Sequence, residues 1–122
     1  MVECKMKTPE MEDLVFRITT AALTSSTTLK YAPLTGLLNS VTVHFPAGCQ
    51  QLVEVFLWYK RQQVFPHPPD GLVGDDTTQK YAIYQNVRNR DPLEVRILNH
   101  DALNQHTVIV ILHIDGQGVE VL

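Results

Sequence analysis

Five histidines, two cysteines and a cluster of acidic residues are the places where this chain could do chemistry. His44 and His113 lie near the ends of apolar runs, and His100 and His106 flank the polar stretch from Asn99 to Asn104. A metal site on a β-barrel of the cupin kind needs an H-x-H pair, a carboxylate at short range and a further histidine, all facing inward. No H-x-H occurs in the chain, so these histidines are expected at the surface or in turns, with no metal. Asp70, Gly71, Asp75 and Asp76 could offer oxygen ligands to calcium. They lack the ordered alternation of a dedicated calcium loop, and a solvated turn whose Asp side chains accept from backbone N–H groups is expected instead. Cys49 follows Gly48, but no G-x-S-x-G elbow presents a nucleophile to a base. The expectation is a protein that is not an enzyme and needs no cofactor.

The remaining chemistry is apolar contact. In LVEVFLWYK, residues 52–60, alternation puts Val53, Val55, Leu57 and Tyr59 on one face and Phe56 and Trp58 on the other. HTVIVILHI, residues 106–114, does the same: Val108, Val110, Leu112 and Ile114 make one apolar face, while Ile109 and Ile111 make the opposite face apolar too. If the first set in each strand fills a core, then Phe56, Trp58, Leu98, Ile109 and Ile111 face outward, and leaving each in water forgoes roughly 1.5–3 kcal/mol of burial. They are expected to form one interface with another chain, where aromatic anchors are enriched. That expectation requires both strands to lie in one sheet; the competing reading is that a loop or the N-terminal arm folds over this face.

Strands are what must position these side chains. Period-two apolar runs recur at Leu14–Ile18, Leu37–Phe45, Val53–Tyr59, Leu93–Ile97 and Val108–Ile114, with shorter candidates at Leu29–Tyr31, Val64–Phe65 and Tyr81–Tyr84. Between them lie turn-forming stretches such as Pro46-Ala47-Gly48, residues 66–71 and residues 86–92. No three-turn helix fits anywhere. The predicted fold is all-β: an antiparallel, jelly-roll-like sandwich of about seven or eight strands. Residues 1–12, polar and carrying Pro9, are expected to be an N-terminal arm, with the β domain spanning residues 13–122.

Composition narrows the class. A chain of 122 residues is the usual size of one domain, and 44% hydrophobic against 19% charged residues excludes a disordered tract. A net charge of -3 with no basic run beyond Lys60-Arg61 gives no footprint for nucleic acid. Glu3, Glu10, Glu12 and Asp13 interrupt the apolar core that a signal peptide needs, so synthesis and first use in a cytoplasm are expected, with no membrane partner. Cys4 and Cys49 are expected as free thiols.

The stretches VTVHFPAGCQQLVEV, QQVFPHPPDGLVGDD and EVRILNHDALNQHTVIVILHI, within residues 41–114, resemble a pattern seen in small jelly-roll-like structural proteins of tailed phages. Their features are a strand running into FP-x-G-C, a V-F-P step before a Gly- and Asp-rich turn, and a late N-H-D…H-T turn opening the last strand. The resemblance implies a capsid decoration, or cement, protein: a virion component assembled in the host cytoplasm, forming a homo-oligomer, typically a trimer, and clamping the major capsid protein partly through its arm. The competing class is a carbohydrate-binding or receptor-binding β-sandwich that stacks sugars on Trp58, Tyr59 or Tyr84.

Overall fold

The computed structural model describes the backbone of residues 5–7, 11–116 and 119–121, and the side chains of residues 11–116. Its strands are β1 (Lys5–Lys7), β2 (Met11–Thr20), β3 (Ser25–Tyr31), β4 (Gly36–Phe45), β5 (Val53–Tyr59), β6 (Gln62–Phe65), β7 (Thr77–Val87), β8 (Pro92–Asn99), β9 (His106–Gly116) and β10 (Val119–Val121). Among the described residues there is no helix. Eight strands form two four-stranded antiparallel sheets, in the orders β2-β9-β4-β7 and β3-β8-β5-β6. Successive strands mostly alternate between the sheets, from β2 to β3 to β4 to β5 and again from β6 to β7 to β8 to β9. That interleaving is the jelly-roll form of the double Greek key.

The alternation read from the sequence builds the core. Phe16, Ile18, Val43, Phe45, Val53, Val55, Leu57, Leu93, Val95, Ile97, Val108, Val110, Leu112 and Ile114 are all buried between the sheets. One run breaks its own parity: Leu38, not the expected Leu37, is fully buried. The cause is a bulge in β4, where the register slips between Leu38 and Ser40 against both β7 and β9. A bulge adds a residue without a partner and moves everything before it to the other face.

The inward and outward isoleucines of β9 are explained by its position. β9 is an interior strand, bonded along its length to β2 and β4. On its outer face Ile109 lies between Arg17 and His44, and Ile111 between Val15 and Thr42. Those cross-strand neighbours leave both isoleucines only partly exposed.

The first strand of the sandwich opens at Met11, paired with Asp115, and Lys5–Lys7 pairs with Val119–Val121. The rest of the expected arm, with Cys4 and Pro9, lies outside the described residues.

Candidate functional site

The outer face of the β3-β8-β5-β6 sheet carries a groove of about 740 Å³, lined by Phe56, Trp58, Arg61, Gln62, Gln63, Pro68, Pro69, Arg96 and Leu98. Register builds its floor. Phe56 sits opposite Arg96, Trp58 opposite Glu94, and Glu54 opposite Leu98 on the paired strands β5 and β8. All three apolar residues point away from the core because their neighbours Val55, Leu57 and Ile97 point into it.

A loop supplies the wall. β6 pairs with the second half of β5, after which the chain bulges outward and returns, so that Leu72 and Val55 exchange both backbone hydrogen bonds at 2.9 Å. The Gln63 side chain donates to the carbonyls of Pro66 at 2.9 Å and Asp70 at 2.7 Å, bracing the excursion from within. At its far end Gly71 presses on Phe56: a Cβ there would stand 2.7 Å from the Phe56 ring. A loop does therefore fold over part of this face, as the competing sequence reading held, but it leaves an open trough between itself and Arg96.

The trough mixes flat apolar surface with cations. The Arg96 guanidinium stacks over the Trp58 ring, 4.0 Å from its centroid, and Glu94 holds the same guanidinium at 3.2 Å. Arg61 lies exposed at the rim. Beyond Leu98, which also lines a smaller neighbouring hollow of about 370 Å³, His100 bonds Glu54 at 2.6 Å. The surface offers a rigid aromatic anchor, aliphatic floor and guanidinium donors, which suits recognition. It presents no nucleophile held by a base.

The five residues expected to form one interface do not come together. Phe56, Trp58 and Leu98 share the groove, whereas Ile109 and Ile111 lie on the outer face of the other sheet. The expectation failed because β5 and β9 belong to different sheets, and alternation within a strand says which residues face out but not on which side of the molecule. Arg96, Pro68 and Pro69 were not read from the sequence as part of the surface. The signal available was Arg96 two residues before Leu98 on one strand.

The polar candidates are absorbed by the fold. Cys49 is fully buried, and burial, with Asp75 and Asp101 nearby, raises its pKa and keeps it a thiol. His106, expected at the surface or in a turn, lies at the end of the turn before β9, buried, and bonds Asp101 at 2.8 Å. Asp101 also accepts from the Leu103 and Asn104 backbone N–H groups, and these bonds, led by that of Leu103, hold its pKa down to about 2. Asn99 completes this turn by donating to the carbonyls of Thr20, Ala21 and Asn104. Asp75 accepts from the Gly48 N–H at 3.0 Å, pinning the loop before β7 to the turn after β4, where Gly48 adopts φ of 99°. On the other sheet His113 bridges Asp13 at 2.7 Å and Asp115 at 3.1 Å. No group of three or more His, Cys, Asp or Glu among the described residues is arranged to hold a metal ion. Of the aromatic platforms, Tyr59 donates to Asp91 at 2.5 Å and is partly buried, while Tyr84 stands exposed on β7 in the other sheet.

No protein-family model and no curated protein matches the chain. Among solved structures it is similar, at 15% identity over 96% of each chain and a TM-score of 0.51, to one described as "Bacillus endospore appendages form a novel family of disulfide-linked pili". It is also similar to PliG of Aeromonas hydrophila, a periplasmic inhibitor of g-type lysozyme, at 9% identity, a TM-score of 0.45 and coverage of 84% of this chain and 85% of that one. A third likeness is to the structure of the infectious bursal disease virus Gx strain, at 9% identity and a TM-score of 0.39, covering 91% of this chain and 33% of the other. At 15% identity the first of these likenesses speaks for the all-β sandwich fold alone.

Proposed function

We propose that this protein is a non-enzymatic structural subunit of a virion, of the capsid decoration type, which docks on its shell through the Phe56–Trp58–Leu98 groove. The observation that carries the proposal is the groove itself. The core of the jelly roll is filled without Trp58, Phe56 and Leu98, which are gathered instead around an open trough where each stays partly exposed, and Trp stacked with Arg pairs two of the residue types most enriched at interface hot spots. The phage-like strand and turn pattern of residues 41–114 supports the virion setting, and jelly rolls are a common capsid architecture. The major capsid protein is the expected partner. An interface of standard size would remove about 1,600 Å² from water, enough to stabilise an assembled shell by mass action.

Co-sedimentation of the purified protein with shells from its source tests this. Binding by the wild type, lost in Trp58→Ala and kept in Ile111→Ala, supports the proposal. Binding of a polysaccharide in place of shells would instead support the sugar-binding class.

A further inference from the structure

Each sheet of the sandwich ends in two edge strands, and an edge is a row of N–H and C=O groups ready to pair with another chain unless something blunts it. Three of the four edges are blunted. β6 is only four residues long and runs into Pro66. β2 carries Glu12, Asp13 and Arg17, and β3 lies beside it: Lys30 of β3 donates to the Val15 carbonyl at 2.6 Å and Thr20 bonds Ser26 at 3.0 Å, so these two edges close on each other. β7 is different. Its eleven residues, TTQKYAIYQNV, contain no proline, no glycine and a single charge, Lys80. Among the described residues β7 pairs only with β4.

We propose that β7 is a self-association edge, pairing antiparallel with β7 of a second copy across a two-fold axis centred on Gln79. The register follows from what each alternative would set side by side. Pairing with β4 is regular from Thr77 to Ala82 and is then broken, because Ile83 and Tyr84 together oppose Asn39 alone, so the usable edge is the six residues of that first segment. A two-fold axis that keeps the inner face of one sheet continuous with the inner face of the other must pass through a residue, not between two. Centring it on Lys80 would put two ammonium groups opposite each other. Centring it on Tyr81 would draw the bulged pair into the ladder. Centring it on Gln79 sets Thr77 against Tyr81 and Thr78 against Lys80 of the second copy, with no like charges opposed. The contact joins two four-stranded sheets into one of eight strands and gives a dimer where the phage resemblance implies a trimer. It uses the sheet opposite the groove, and so stands or falls separately from shell docking.

Thr78 is exposed, on the outer face beside His44, so substitutions there act on the contact with little effect on the core. Sedimentation equilibrium of the full chain at micromolar to high micromolar concentration is expected to give twice the chain mass of 13.8 kDa. Thr78→Glu, placed opposite Lys80 of the second copy, should tighten the dimer several-fold. Thr78→Lys, opposed by that same Lys80, should loosen it several-fold with the far-UV circular dichroism of the folded sandwich retained, and Trp58→Ala should leave it unaltered. A monomer at every concentration, a trimer, Thr78→Glu and Thr78→Lys moving together, or loss of the dimer in Trp58→Ala would each overturn the proposal.

Discussion

Leu57 and Trp58 are neighbours in one strand with opposite orientations: Leu57 fills the core and Trp58 lines the groove. Leu57 is 1% exposed in the middle of the core. Truncating it to alanine removes buried methyl groups and leaves a cavity that the surrounding β-branched side chains can fill only in part, at a cost of about 3 kcal/mol within the usual range of 2–5. Trp58 lies on the outer face with Arg96 over its ring. Trp58→Ala forfeits a solvent-accessible cation–π contact of about 0.5–1 kcal/mol and some partial burial, about 1 kcal/mol more. Its stability loss should therefore be roughly half that of Leu57→Ala. Binding should reverse the order: Trp58→Ala removes the proposed hot spot and is expected to cost at least about 2 kcal/mol, a roughly 30-fold weaker dissociation constant, whereas Leu57→Ala binds normally at temperatures where it is folded. Urea unfolding followed by far-UV circular dichroism gives the first quantity, and co-sedimentation with shells the second. If Trp58→Ala destabilised the fold as much as Leu57→Ala and bound shells normally, Trp58 would be a structural residue and the division would be wrong.

Asn99→Ala should lose about 2–4 kcal/mol in urea unfolding, since the side chain donates to the Thr20 and Ala21 carbonyls at the end of β2 and to Asn104, and accepts from the Asp101 N–H, tying the turn between β8 and β9 to β2; a loss under about 1 kcal/mol would mean that water replaces it. The carboxyl of Asp101 titrates lower in the folded chain than in the unfolded one, so its contribution is present above the ordinary carboxylate pKa of about 4 and disappears as pH falls toward about 2. Thermal melts from pH 6 to pH 2 should show this acid loss, and Asp101→Asn should flatten it at a lower overall stability. His113 runs the other way: the Asp13 hydrogen bond, with Asp115 beside it, raises its pKa, so its contribution is full below the ordinary histidine pKa of about 6.5 and is lost as pH climbs through the raised value. The effect is small because the pair is largely solvent-exposed, and a His113→Gln variant whose melting temperature followed the wild type throughout pH 6–9 would remove it from the account.

Much of the fold was legible because strands buried on one side write their orientation into every second residue. Val53, Val55 and Leu57, or Leu93, Val95 and Ile97, could be placed in a core from spacing alone. The β4 bulge was not legible: Leu37-Leu38-Asn39-Ser40 offers two adjacent leucines, and only pairing with β7 and β9 decides which one turns inward. The site was half legible for a related reason. Phe56, Trp58 and Leu98 were found as outward apolar residues, but grouping them with Ile109 and Ile111 needed the sheet order, which is set by long-range pairing that local periodicity does not encode. The wall of the groove depends on a loop excursion closed by Leu72 pairing with Val55, a contact between residues of unrelated pattern.

Trp58 is the single tryptophan of the chain, so its fluorescence reports on the groove without interference from elsewhere in the molecule. Acrylamide quenching of Trp58, measured free and then bound to tryptophan-free or tryptophan-masked shells recovered by sedimentation, tests the central claim most directly. Docking through the groove predicts a blue-shifted emission and a several-fold fall in the quenching constant on binding. Firm binding with Trp58 emission and quenching unchanged would place the contact elsewhere and contradict the account.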